Sequence, residues 1–258
     1  MFLSTLCDSS RPPALPRPSY RHLHRHRDVS AEAHFGHELA RLADADSARD
    51  FVISAPREAA DRLHAAELLG RRYAWRGYRL SPLEGFASRG RLTLVASACE
   101  SVVGTLTAAV EADSGLSVER IYPREVAALR GSGTRLCEFT RFAVDEDVRS
   151  SALLGALFHV ACMHVMEVHH CTRALIEVNP RHVRFYEQML DFRRAGETRM
   201  DPAVAAPAVL MQLDLAHCAR QIDALSGRPA SSGRLRSYYP HFFAKAEAEL
   251  VLGRLRMH

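Results

Sequence analysis

Lysine is almost missing from this chain: Lys245 is the only one, and arginine supplies the rest of the basic side chains. We read that as a compositional habit rather than a sign of function. Cysteine pairing is missing too. Cys7, Cys99, Cys137, Cys162, Cys171 and Cys218 are scattered without a CxxC, which excludes a zinc module or a short disulfide framework and suits reduced thiols in a cytosolic protein. The nucleotide fingerprints GxGxxG and GxxxxGK[ST] are both absent. No stretch is expected to supply the ~18 apolar residues of a membrane span. The opening MFLSTLC is too short and too poor in basic residues to read as a secretion signal. Charge of one sign is also in short supply. A net charge of +4 and a pI near 8.8 leave no case for a nucleic-acid partner, only a mild preference for an acidic one.

What is present is an ordinary globular composition, 47% hydrophobic and 25% charged over 258 residues, enough for one good-sized core or a core with appendages. Residues 1–50 read as a flexible basic arm. RPPALPRPSYRHLHRHR carries no acid between Ser9 and Arg27, cannot bury much, and is expected to be disordered, with a short helix around Ala31–Ala43. The alternating His22, His24 and His26 lack a carboxylate or cysteine to complete a metal site.

From Phe51 the pattern changes. FVIS reads as a strand, and a helix follows from Pro56 with acids early and Arg71 and Arg72 late, which suits the helix dipole. Tyr78–Gly90 reads as a loop. RLTLVASACESVVGTLTAAVE is a hairpin turning at Cys99–Ser101. A helix around Pro123, the strand TRLCEFTRFAV and an apolar helix from Ser150 to His170 follow. CTRALIEVN is the next strand, and Asn179–Pro180 caps a further helix. Two more strands, a helix, a linker from 226 and a terminal amphipathic helix complete a mixed α/β layer protein.

Four places could carry chemistry. Glu138 and Arg141 share an apolar strand. Alternation points them to opposite faces unless a bulge intervenes, and they read either as a structural ion pair or as a base poised by burial and a cation. Arg149, Ser150 and Ser151 open a helix and form a one-phosphate anion site or an ordinary cap. His182 and Tyr186 lie one turn apart, and Tyr186 is either a core aromatic or a proton donor. His169, His170 and Cys171 have poor geometry for a metal, and no metal site is expected.

Three blocks resemble a known family: RRYAWRGY, ERIYPREVAALRGSGTRLCEFTRFAVD and ALIEVNPRHVRFYEQMLDF. Together they resemble the GNAT acyltransferases, and more closely the long-chain N-acyl amino acid synthases, relatives of the acyl-homoserine-lactone autoinducer synthases. The resemblance covers about Phe51 to Leu215. It implies a GNAT-like mixed sheet flanked by helices over 51–225, with a C-terminal helical extension over 226–258. It also implies an N-acyltransferase that moves an acyl chain from acyl carrier protein to the amine of an amino acid. The co-substrate is then the acyl-phosphopantetheine of acyl carrier protein, or acyl-CoA, with no resident cofactor.

Under that resemblance Glu138 is the base, Tyr186 the acid for the thiolate, and Arg141 a carboxylate ligand or the residue that orients Glu138. The donor is held by Phe142, Ala143, Val144, Arg149, Ser150, Ser151, Asn179, Arg181 and His182, and the acceptor by Arg72, Tyr73 and Trp75. The partners are acyl carrier protein and the amino acid, with peripheral membrane contact through the acyl product. Two rival readings are an autoinducer-type lactone synthase and a catalytically idle GNAT-fold binding module.

Overall fold

The computed structural model describes residues 35–44, 49–56, 58–74, 90–112, 115–131, 133–228 and 236–258. Within them the chain builds nine strands and six α-helices. The strands are β1 (His37–Asp44), β2 (Arg49–Ala55), β3 (Arg91–Ala98), β4 (Ser101–Val110), β5 (Leu136–Val144), β6 (Arg173–Val178), β7 (Arg193–Arg194), β8 (Arg199–Asp201) and β9 (Ala206–Asp214). The helices are α1 (Ala59–Ala74), α2 (Pro123–Leu129), α3 (Ser151–Met163), α4 (Val183–Leu190), α5 (Leu215–Leu225) and α6 (Lys245–Arg256). The strands form one sheet in the order β1-β2-β3-β4-β5-β6-β9-β7, with β8 beside β7 on the outer edge of β9. Every pairing is antiparallel except β5 with β6.

That one parallel pairing is short. Leu136, Cys137 and Glu138 face Arg173, Ala174 and Leu175, and there the ladder stops although both strands continue. The cause lies on the other side of β5. The register against β4 slips between Thr105 and Thr107, so that Arg141 and Phe142 together oppose Leu106. Arg141 takes a left-handed φ of 52°, which costs a non-glycine residue roughly 1 kcal/mol or more. The bulge bends β5 away from β6 and opens a gap in the middle of the sheet. It also resets the alternation, so that Phe139 and Phe142, three apart, both meet Phe158 of α3.

The two faces of the sheet are covered differently. One face, with Phe139, Ile176, Val209 and Met211, packs under α3 and the C-terminal segment in a single large core. The other carries a smaller cluster around Tyr122, Leu136, Leu175 and Leu210 under α2. A third cluster lies under α1, with Leu68 and Leu69 against Val95 and Val102. Helix α3 runs on through a π-turn, His164–Val168. By length and composition alone Ser151–Val168 could cross a membrane, contrary to the expectation that no stretch would qualify, but 72% of it is buried inside the protein. Its apolarity serves the core on all sides.

One expectation about the ends is corrected. Within the stretch 1–50, residues 37–44 form a strand. Its HELARLAD is β1 rather than part of a helix over Ala31–Ala43, because Leu39 and Ala40 bury around a bulge against β2. Such short apolar runs fit both periods. Residues 1–34, with His22, His24 and His26, lie outside the described residues, as does the loop 78–89. The C-terminal segment is a wall of the core. Tyr238, Tyr239 and Phe242 are buried, and the Phe243 N–H donates to His159 Nδ1 of α3 at 3.0 Å. Arg254 of α6 reaches back to the Leu39 carbonyl of β1 at 3.1 Å. A Cβ added at Gly155 would lie 2.8 Å from the His241 carbonyl oxygen, so glycine there lets this segment approach α3.

Candidate active site

The gap between β5 and β6 is a cavity of about 670 Å³. Residues from both faces of the sheet line it. Phe139, Phe142, Leu154, Phe158 and Ile176 come from the α3 side, and Arg91, Ser117, Arg120, Glu177 and Asp201 from the other. The cavity therefore passes through the sheet, apolar at one end and charged at the other. This follows from the splay, since parted strands leave their edge groups and both sets of side chains around one opening.

Most of the residues picked from the sequence meet here. Arg72, Tyr73, Arg141, Phe142, Ala143, Val144, Arg149, Asn179, His182 and Tyr186 all line the cavity. Tyr73 donates its hydroxyl to the Phe142 carbonyl at 3.4 Å, and Arg72 pairs with Glu146 at 3.3 Å, so the end of α1 is tied to the bulge and to the turn after it. Asp145 donates its N–H to Val103 on the β4 side at 2.8 Å. By alternation the Val144 N–H one residue back points the other way, into the gap.

Ser150, Ser151 and Arg181 are not among the lining residues. Ser150 is buried and spends its hydroxyl on its own helix, accepting from the Leu153 N–H at 3.0 Å. Arg181 sits on the short 3-10 turn that Asn179 caps, where its N–H donates to the Asn179 side chain at 3.2 Å. Trp75 lies outside the described residues. Among the described residues no group of three or more His, Cys, Asp or Glu side chains is placed to hold a metal ion.

Glu138 is at the heart of the site but faces away from its opening. It is 0% exposed. Ser117 donates its hydroxyl to Oε1, the Val118 N–H donates to Oε2 at 3.1 Å, and the Arg91 guanidinium lies 3.7 Å from Oε1. Those three partners, rather than Glu138, form the cavity wall. The cation beside it is Arg91 from β3.

The residue that sequence reading passed over is Glu177. On β6 it stands two residues past Leu175, which pairs with Glu138, so the two acids share a face of the sheet on either side of the parting. Glu177 is partly exposed and lines the cavity itself. Burial and the neighbouring Asp201, which also hydrogen-bonds it, push its carboxyl up to about 7, with Arg120 opposing. Asp201 is buried on β8, where Oδ2 accepts from Arg120 at 2.8 Å and Oδ1 from the Ala203 N–H at 2.8 Å. A lone acid in the otherwise apolar ALIEV was the available signal.

A mixed sheet whose bulged strand parts from a parallel neighbour above a buried helix is the architecture of the GNAT acyltransferases, and the chain is an N-acyltransferase of that class. A family profile described as N-acyl amino acid synthase FeeM matches residues 64–214, more than half of the chain. The chain belongs to that family. Among solved structures it is similar to "FeeM, an N-acyl amino acid synthase from uncultured soil microbes", at 26% identity and a TM-score of 0.61 over 67% of this chain and 95% of that one. An acyl-CoA N-acyltransferase from Pseudomonas aeruginosa follows at 12% identity and 0.46, over 64% of this chain and 98% of that one. The AHL synthase LasI stands at 11% and 0.47, over 65% of this chain and 91% of that one. No curated protein matches the chain in sequence.

Proposed function

We propose that this enzyme takes a long-chain acyl group from the phosphopantetheine arm of acyl carrier protein and passes it to the amine of an amino acid. The observation that carries this reading is the cavity through the sheet, apolar and aromatic under α3 and charged on the far side. A fatty acyl tail fits among Leu106, Phe139, Leu154 and Phe158, and a zwitterionic acceptor suits the mixed carboxylates and arginines opposite. The donor arm enters past Asn179 and His182. Arg149 at the start of α3 serves its single phosphate, and the absence of a glycine-rich pyrophosphate loop suits a donor with one phosphate.

The thioester carbonyl then lies along the free edge of β5, where the Val144 N–H polarises it and steadies the charge that builds on oxygen. The amine arrives from the opposite face, loses a proton to a carboxylate there, and forms the C–N bond. As the C–S bond breaks, the Tyr186 phenol returns a proton to sulfur. Arg141 on the bulge offers its guanidinium to the acceptor's carboxylate. A cytoplasmic location goes with that donor, and the amphipathic product is the route to membrane contact.

The test is direct. The full chain is incubated with acyl carrier protein charged with acyl groups of defined length and with single amino acids, and products are read by mass spectrometry. An N-acyl amino acid with release of carrier thiol is the expected result. A lactone formed from S-adenosylmethionine, transfer from acyl-CoA alone, or no N-acyl product at all overturns the reading.

A further inference from the structure

We propose that Glu177, not Glu138, takes the proton from the acceptor amine, and that Asp201 and Arg120 hold it ready to do so. The proposal rests on the transfer reaction above. General-base catalysis needs a carboxylate oxygen within hydrogen-bond reach of the amine nitrogen. Glu138 offers none, since Ser117 and Arg91 occupy one oxygen, the Val118 N–H the other, and no part of it is exposed. It carries and aims the wall of the site. Glu177 lies on the same face, across the parting of the strands, with its side chain in the cavity.

The surroundings of Glu177 suit a base that must release its proton near neutrality. The charged and titratable groups around it are Asp201 of β8, Arg120 of the 3-10 turn Ser117–Arg120, Glu138 of β5 and the Tyr122 phenol ahead of α2. Asp201 accepts from Arg120 and from the Ala203 N–H, and its nearness adds to burial in favouring the protonated form of Glu177. Arg120 works the other way and keeps the ionised form within reach. The carboxyl therefore titrates near 7, where an acid of the usual range would be too weak a base.

In the step itself the amine lone pair attacks the thioester carbon and the N–H proton passes to Glu177. The C–S bond breaks, the thiolate is protonated by Tyr186, and the cycle closes when Glu177 loses its proton to water and the Tyr186 phenolate takes one back from water. The sum is thioester plus amine giving amide plus thiol.

The experiment measures kcat/KM from pH 5.5 to 9 for the full-length wild type, Glu177→Gln, Asp201→Asn and Glu138→Gln, using the acyl donor and amino acid found by mass spectrometry. The wild type should rise about tenfold per pH unit and level off near 7. Glu177→Gln should lose about 10²–10³-fold and show no break near 7. Asp201→Asn, which removes the group that holds the proton, should move the break to lower pH. A Glu177→Gln enzyme that keeps the break, or a Glu138→Gln enzyme that alone loses it, overturns the proposal.

A carboxyl carbon NMR titration of the full chain, with the Glu177 signal identified by its absence in Glu177→Gln, reads the same group without turnover and covers the case of an Asp201 variant that does not fold. A midpoint near 7 supports the proposal and one near 4.5 overturns it. A wild type that forms no N-acyl product defeats the transfer reading itself, whatever the titration shows, and the role of Glu177 goes with it.

Discussion

The two faces of the sheet at its central gap are built on opposite plans. Under α3 the walls are Phe139, Phe142, Phe158 and Tyr186 in edge-to-face and tilted contact, closed from behind by Tyr239 and Phe242. On that side His159 accepts from the Phe243 N–H and stacks on Phe242 at 4.6 Å. On the far side the walls are Arg91, Ser117, Arg120, Glu177 and Asp201 around the sealed Glu138. One face obtains its order from shape and exclusion of water, the other from charges that fix one another's positions. The difference teaches where each face should fail, and the two can be broken separately.

The largest effect is expected on the charged face. Glu138→Ala leaves the Ser117 hydroxyl, the Val118 N–H and the Arg91 guanidinium without their acceptor in a buried site, and should cost about 3–5 kcal/mol in urea unfolding. A loss under 1 kcal/mol would mean water reaches that carboxylate. Next comes the aromatic face in acid. Burial depresses His159 to about 4, against an ordinary value near 6.5, so it is held neutral. Its contribution is present above 6.5 and is lost as pH falls toward 4. Unfolding at pH 7 and at pH 4.5 should differ on the order of 2 kcal/mol from this group, and His159→Asn should reduce that difference while lowering stability at pH 7.

Gly155→Ala tests the same wall by volume. The new methyl meets the His241 carbonyl at 2.8 Å, and a penalty of about 1–3 kcal/mol is expected, with earlier proteolysis of residues 236–258 than in the wild type. Equal proteolysis would show the segment is not held by this contact.

The smallest effect has the opposite sign. Glu177 keeps its proton up to about 7 when folded but only to about 4.5 when unfolded, so the folded state holds the extra proton and loses stability as pH rises between those values. Glu177→Gln should therefore be more stable than the wild type by on the order of 1–2 kcal/mol at pH 8, and no more stable at pH 4. Thermal scans at both pH values decide it. A variant equally stable at both would break the contrast between the sealed and the open carboxylate.

Much of the framework was legible from residue order. LCEFTRFAV of the expected TRLCEFTRFAV is β5, the hairpin turns at Cys99–Glu100 as its flanking runs required, and Asn179–Pro180 starts a 3-10 turn that leads into α4. Those features depend on neighbours a few residues apart. What was hidden depends on partners far along the chain. Glu138 is answered from residues 117 and 118, and Glu177 is held by Asp201, which reaches it only because β8 folds back on β9. HELARLAD was misjudged because a bulged edge strand and a short helix bury the same few apolar residues.

By itself, then, the sequence determined that β5 would be a buried strand with an acid inside it, emptying through Asp145, Glu146 and Asp147 into an apolar helix, because alternation, capping and composition act locally. Only the tertiary structure decided that the strand bulges at Arg141, parts from β6 and opens a passage through the sheet. It also decided which of two glutamates on that face faces the opening. Whether a carboxylate is saturated or left facing a cavity is a matter of which distant donors are folded onto it, and no local pattern records that.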